Sequence, residues 1–200
     1  MQNKEKLIAK EIIREIDNKI KREYWTNKEI DKLFGRRSAE EIFQSGSACF
    51  MNPCLDLTLA SAKIFQSKGI NYNLIIEEIL PTPDFDFNRL HFVLEFKNGG
   101  EEHSTMDYKR CNEVEISGGI YQKRKDLPVR KIIKISGENI NPKKTIYESL
   151  GYKELEELLK TKFNEYSLDK NLSRLKKDNS FERYKSFIET YGTNFIIKEL

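Results

Sequence analysis

The chain has 200 residues, 34% of them charged, with 35 Lys and Arg set against 32 Asp and Glu for a formal net charge of +3. That length suffices for one sizeable core, and the near balance of charge gives no electrostatic case for a nucleic-acid partner, because phosphate binders carry a lopsided basic stripe. Three cysteines do not fit a secreted disulfide framework, and neither a signal-peptide core nor an apolar run of about 20 residues is present, so the sequence predicts no membrane span and a cytoplasmic location.

Residues 4 to 23 read as an amphipathic helix, with Ile8, Ile12, Ile16 and Ile20 along one stripe and Lys and Glu elsewhere. Asn27 is the expected cap of a short second helix through Ile30 and Leu33, ended by Gly35. Ser38 and Glu41 have the spacing of a capping box, and Gly46 closes the turn that follows. Asn52-Pro53 then predicts a helix start, with Asn as cap and Pro where no amide donor is needed. The helix it opens, CLDLTLASAKIFQSKG, is apolar on most sides and is expected to be buried.

Beyond Gly69 the period changes to two. Residues 72 to 79 predict a strand, PTPDFDFN a loop, and residues 90 to 96 a second strand. A turn at Asn98-Gly99-Gly100 leads to a hairpin partner at residues 102 to 108, with further strands at 113 to 116 and 129 to 135. Helical pattern returns near 144 to 164 and 179 to 190. The order predicts an α+β fold, divided as an N-terminal helical segment at 1–36, a core at 37–140 and a C-terminal helical segment at 141–200, all within one compact domain.

Three side chains carry the chemistry. Cys54 opens the buried helix, where unsatisfied amides and the helix dipole favour the nucleophilic thiolate. His91 sits in an apolar strand, with Val93 and Glu95 on its face, in position to accept and return a proton. Asp107, across the predicted hairpin, is placed to hold the imidazole and stabilise its charged form. Cys49, Cys54, His91, His103 and Cys111 are every cysteine and histidine in the chain, and no pair has the Cys-x-x-Cys spacing of structural zinc, so no metal is expected. Cys49 is the rival nucleophile, but nothing caps a helix there, and packing is its expected role.

The stretch CLDLTLASAKIFQSKGINYN resembles the nucleophile helix of the transglutaminase-like superfamily, relatives of papain with a helix packed on an antiparallel sheet. The cysteine opens a helix that runs to the pair Gly69-Ile70; His91 with Glu95, and Met106-Asp107, resemble the family's second and third motifs over residues 38 to 110. The resemblance implies a Cys54–His91–Asp107 triad in a protease, amidase, deamidase or acyltransferase that needs no cofactor. Peptide or protein substrates, or a small amide or amine, are the implied partners. The Cys54 backbone amide is the expected oxyanion donor, with Asn52 and Gln44 as candidates for a second. In the loop before His91, Phe85 and Phe87 are candidates to grip an apolar group, and Asp84 and Asp86 to select a cationic one. A non-catalytic protein-binding module that retains the fold is the alternative.

Overall fold

The structure, a computed structural model, describes residues 2–50, 52–80, 89–97, 103–108, 113–118, 129–151, 153, 157, 168–178, 181–192 and 195–199. It is an α+β fold, and among the described residues it contains seven helices, a six-stranded mixed sheet and a two-stranded one. The loop carrying Asp84, Phe85, Asp86 and Phe87, the Asn98-Gly99-Gly100 turn and Cys111 lie outside the described residues.

Helix α1 (Gln2–Lys19) buries Ile12 and Ile16 of the predicted stripe together with Ala9 and Ile13, while Ile8 is only partly buried. The helix stops earlier than the pattern suggested. After Ile20 the chain extends into β1 (Lys21–Glu23), which pairs in parallel with β2 (Ser47–Cys49). The inward residue of β1 is Arg22, only 3% exposed, which bonds Asp17 and stacks on Phe195 with its guanidinium 3.6 Å from the ring centroid. A buried arginine between two exposed charges has no apolar period, so the helix-to-strand change is silent in the sequence.

Helix α2 (Asn27–Leu33) is capped by Thr26 rather than Asn27: Thr26 Oγ1 accepts from the Glu29 amide at 3.3 Å, and Glu29 accepts from the Thr26 amide at 2.7 Å. Helix α3 (Ala39–Ser45) has the expected Ser38/Glu41 box and ends at Gly46, whose φ of 63° is a left-handed conformation that suits glycine. Helix α4 (Cys54–Ser67) is buried along almost its whole length.

Strands β3 (Asn71–Ile79), β4 (Arg89–Lys97), β5 (Ser104–Tyr108), β6 (Glu113–Gly118) and β7 (Val129–Ser136) form the large sheet with β8 (Ile196–Glu199), in the order β7-β3-β4-β5-β6-β8. Every neighbouring pair is antiparallel except β6 and β8. One face carries Tyr72, Leu74, Ile76, Leu90, Phe92, Leu94, Phe96, Met106 and Tyr108, in the same apolar core as α1 and α4. Phe65 of α4 lies 4.8 Å from Phe96 between ring centroids, and Ser61 bonds the Tyr108 hydroxyl at 2.8 Å. Alternation sends Ile75, Val93, His91 and Asp107 to the other face, where all four are also buried.

One irregularity of the sheet positions the site. β3 pairs with β4 over its whole length, from Asn71 with Lys97 to Ile79 with Arg89. The pairing of β4 with β5 covers only Leu94–Phe96 against Ser104–Met106. Above Leu94 the two strands part, and the Phe92 carbonyl is met instead by Thr58 Oγ1 of α4 at 3.4 Å.

Toward the C-terminus a 3-10 turn (Gly137–Asn139) leads to α5 (Ile146–Leu150), capped by a Thr145/Glu148 box. Of the helix expected at 144 to 164, α5 is what the described residues bear out as a continuous run. Helices α6 (Leu168–Asp178) and α7 (Phe181–Tyr191) follow. Lys176 of α6 pairs with Asp31 of α2 at 2.5 Å. Helix α7 packs Tyr184 and Phe187 edge-on against Phe50, with ring centroids 4.9 and 5.3 Å away. No helix among the described residues is long and apolar enough to cross a membrane.

Candidate active site

Cys54 is the first residue of α4 and 4% exposed. Pro53 occupies the cap position with φ −77° and ψ −10°, and no side chain caps the helix. Asn52, the expected cap, is used differently: its Oδ1 accepts a hydrogen bond from the Cys54 thiol at 2.9 Å. Cys54, Thr58, Ser61 and Phe65 follow one another at helical spacing, so they share one stripe of α4. Thr58 reaches the Phe92 carbonyl, Ser61 the Tyr108 hydroxyl and Phe65 the Phe96 ring, so the stripe lies over the seam between β4 and β5. Cys54 lies one turn before Thr58 on the same stripe.

The start of α4 is clamped by a buried ion pair. Arg37 donates to Asp56 at 2.6 Å, and their side chains are 6% and 1% exposed. Arg37 also bonds Ser45 Oγ at 2.7 Å and the Ser47 carbonyl at 3.0 Å, and its guanidinium lies 4.7 Å from the Trp25 ring centroid. Burial pushes the Asp56 carboxyl above its ordinary range, against the pull of Arg37 and of the Cys49 backbone amide that bonds it. The clamp ties α4 to the loop before α3 and to β2, which fixes where Cys54 sits. The sequence expectations above do not include it, although an acid two residues into an otherwise apolar helix is the signal that finds it.

His91 and Asp107 are brought together as expected. His91 Nε2 and Asp107 Oδ1 are 2.5 Å apart, and the side chains are 10% and 9% exposed. Their strands are unpaired at this level, so the side-chain bond spans the opening that the backbone leaves. Because Asp107 takes Nε2, Nδ1 is the ring atom suited to a thiol. The third member directs its hydrogen bond elsewhere: the Cys54 thiol donates to Asn52. Cys54 belongs to the helix that packs on the Phe92 face of the sheet, and His91 belongs to the opposite face.

The remaining expected residues divide plainly. Glu95 bonds Asn73 at 3.1 Å, pairs with Lys134 and lies 3.5 Å from His103, which anchors the far end of β4 away from the dyad. His103 is half-buried against Glu95. Gln44 is exposed on α3. Cys49 is 0% exposed at the end of β2, within the core cluster, as a packing residue should be. Among the described residues no group of three or more His, Cys, Asp or Glu is arranged to hold a metal ion. Tyr108, whose phenol burial pushes far above its ordinary value, stays a neutral partner of Ser61 beneath the dyad.

Comparison with family models, with curated proteins and with solved structures finds no match to this chain, so the chemistry of the site is read from its own side chains.

Proposed function

We propose that the protein is a transglutaminase-like cysteine enzyme acting on peptide or amide bonds, with Cys54 as nucleophile, His91 as proton carrier and Asp107 as the group that orients it. The observation that carries this reading is the 2.5 Å His91–Asp107 bond, made where the β4–β5 ladder has stopped. The core of the fold is then of the papain and transglutaminase kind. Asn52 is a resting latch: the thiol turns from its Oδ1 to His91 Nδ1 and gives up its proton there. The sulfur bonds the carbonyl carbon, and the Cys54 backbone amide at the helix start receives the oxyanion. Collapse breaks the carbon–nitrogen bond, and the leaving amine takes the proton from the imidazolium. Water or a second amine then attacks the thioester, passing its proton to His91, and the sulfur leaves and is reprotonated. Asp107 holds the ring through Nε2 and stabilises its charged form throughout. No cofactor is called for.

A non-catalytic binding module is the second reading, favoured by one observation: the thiol is held by Asn52 rather than by His91. Alkylation by iodoacetamide, located by mass spectrometry on wild type and His91→Ala across pH, separates the two. Catalysis predicts that Cys54 labels well ahead of Cys49 near neutral pH and that the substitution slows Cys54 by about tenfold or more. Equal rates in the two proteins would refute the enzyme and leave the binding module standing.

A further inference from the structure

The approach to Cys54 is anchored through Phe50, by its backbone on one element and by its ring on another. The Phe50 amide donates to the Glu23 carbonyl of β1 at 2.8 Å. The ring, which is wholly buried, is met edge-on by Tyr184 and Phe187 of α7. Tyr24, the residue after β1, extends the same floor, its ring 5.4 Å from Phe181 and 5.6 Å from Tyr184. Phe181, Tyr184 and Phe187 follow at three-residue intervals, so one side of α7 supplies all these contacts. The helix is otherwise lightly held. None of residues 181–190 is buried, Phe181 is 54% exposed, and β8 beyond it is a four-residue strand at the edge of the sheet. Elements near a chain end with few buried contacts open at a fraction of the cost of global unfolding.

Cys54 itself is buried, and its thiol is engaged by Asn52, two residues beyond Phe50. A reagent or substrate therefore reaches the sulfur only when the chain between Phe50 and Cys54 moves. We propose that α7 is a strap: seated on Phe50, it keeps the thiol in its Asn52-bound arrangement, and its release from Phe50 presents the thiol for reaction. Phe50 is the positioning residue through which the strap acts. With its ring uncovered, the approach stays anchored by the Phe50 amide and by the Arg37–Asp56 clamp in the first turn of α4, and Asn52 lies between those two anchors. No covalent bond changes in the switch; the fraction of molecules with α7 released sets the fraction whose thiol is presented. In the cysteine enzyme proposed above the strap is autoinhibitory, a consequence that rests on that reading, whereas the switch itself does not.

The test is the rate of iodoacetamide labelling of Cys54 and Cys49 in the full chain, with and without low urea. Wild type is compared with Phe187→Ala, Phe187→Leu and Gly137→Ala, the last placed at the Tyr72 ring away from the strap. Phe187→Ala should speed Cys54 labelling by about tenfold or more, with Phe187→Leu between it and wild type. The gain should be nearly independent of urea, as local opening is, and neither Cys49 nor the Gly137→Ala protein should share it. An unchanged Cys54 rate in folded Phe187→Ala overturns the proposal, and so does an acceleration that Cys49 shares with the urea dependence of global unfolding. Should Phe187→Ala fail to fold, hydrogen exchange of wild type decides: amides of α7 protected as strongly as those of α4 overturn the strap, and α7 amides that open well before α4 support it. Acceleration by Phe187→Ala that persists in a His91→Ala background upholds the strap even where His91 itself has no effect on labelling and the enzyme reading has failed.

Discussion

Removing the Arg37 guanidinium should cost far more than removing a surface charge, and the cost should depend on pH in a specified direction. Arg37 and Asp56 are paired at 2.6 Å with side chains 6% and 1% exposed, so Arg37→Ala strands a carboxylate in the core. Breaking a buried pair from one side costs about 3–5 kcal/mol, compared with at most about 1 for an exposed pair. For a domain of this size that is a loss of roughly 6–20 °C in melting temperature, a large share of a total stability of about 5–15 kcal/mol. Burial already favours the protonated form of Asp56, and without Arg37 it does so unopposed by the main cation. A carboxyl whose folded pKa lies above its unfolded value of 3.8 destabilises nothing below that value, and the cost grows as pH rises toward the folded pKa. Urea unfolding of wild type and Arg37→Ala at several pH values measures both effects. The loss should be larger at neutral pH than in acid, and the Arg37→Ala/Asp56→Asn double variant should lose less than Arg37→Ala and Asp56→Asn added together. A loss below about 1 kcal/mol, or strict additivity, would refute the account of a buried clamp.

Two further predictions concern the frame around the site. A Cβ added at Gly137 would stand 2.7 Å from the Tyr72 ring, which Gln66 holds by its hydroxyl at 3.0 Å, so Gly137→Ala should destabilise by about 1–3 kcal/mol in thermal unfolding. A neutral result would mean that the ring and its hydrogen bond are free to shift. Glu29, Glu41 and Glu148 are held below the ordinary value of 4.5, chiefly by the backbone amides of Thr26, Ser38 and Thr145. Their folded values being depressed, they contribute stability above pH 4.5 that is lost as pH falls through the folded values. A triple Glu→Gln variant should therefore show a shallower fall in melting temperature between about pH 6 and pH 3 than wild type, and identical slopes would count against the caps.

What the sequence disclosed and what it hid follow a physical line. Local, periodic signals were legible: the α1 stripe, the α3 capping box, the apolar α4 and the alternation that puts His91 and Glu95 on one face. The Thr26/Glu29 and Thr145/Glu148 boxes carry the same local signal as the Ser38 box, and reading Asn27 as the cap concealed the first of them. Helix α6 was missed although Leu168, Leu172 and Leu175 are spaced for one face. Other features depend on partners far along the chain. β1 becomes a strand only because β2 lies alongside it, and Asn52 lies one residue before the observed cap, Pro53, with its Oδ1 accepting from the Cys54 thiol. The opposition of Glu77 and His91 is a matter of register between strands, which no single stretch of sequence states.

The seam between β4 and β5 joins fold and chemistry in one feature. Where the ladder stops, the Phe92 carbonyl needs a donor inside an apolar core, and leaving it unmet would cost about 1–3 kcal/mol. Thr58 meets it, which explains a threonine that is wholly buried in a buried helix; Ser61 does the same for the Tyr108 hydroxyl one turn later. Thr58 therefore marks where the β4–β5 ladder has stopped beneath α4. Across the same opening the strands are tied not by backbone bonds but by His91 and Asp107. A fully paired ladder would have left His91 shut away behind the sheet from any helix on the Phe92 face. On the reading proposed above, it is at this gap that Cys54, which continues the stripe of Thr58 and Ser61, would have to meet an imidazole that belongs to the far face of the sheet.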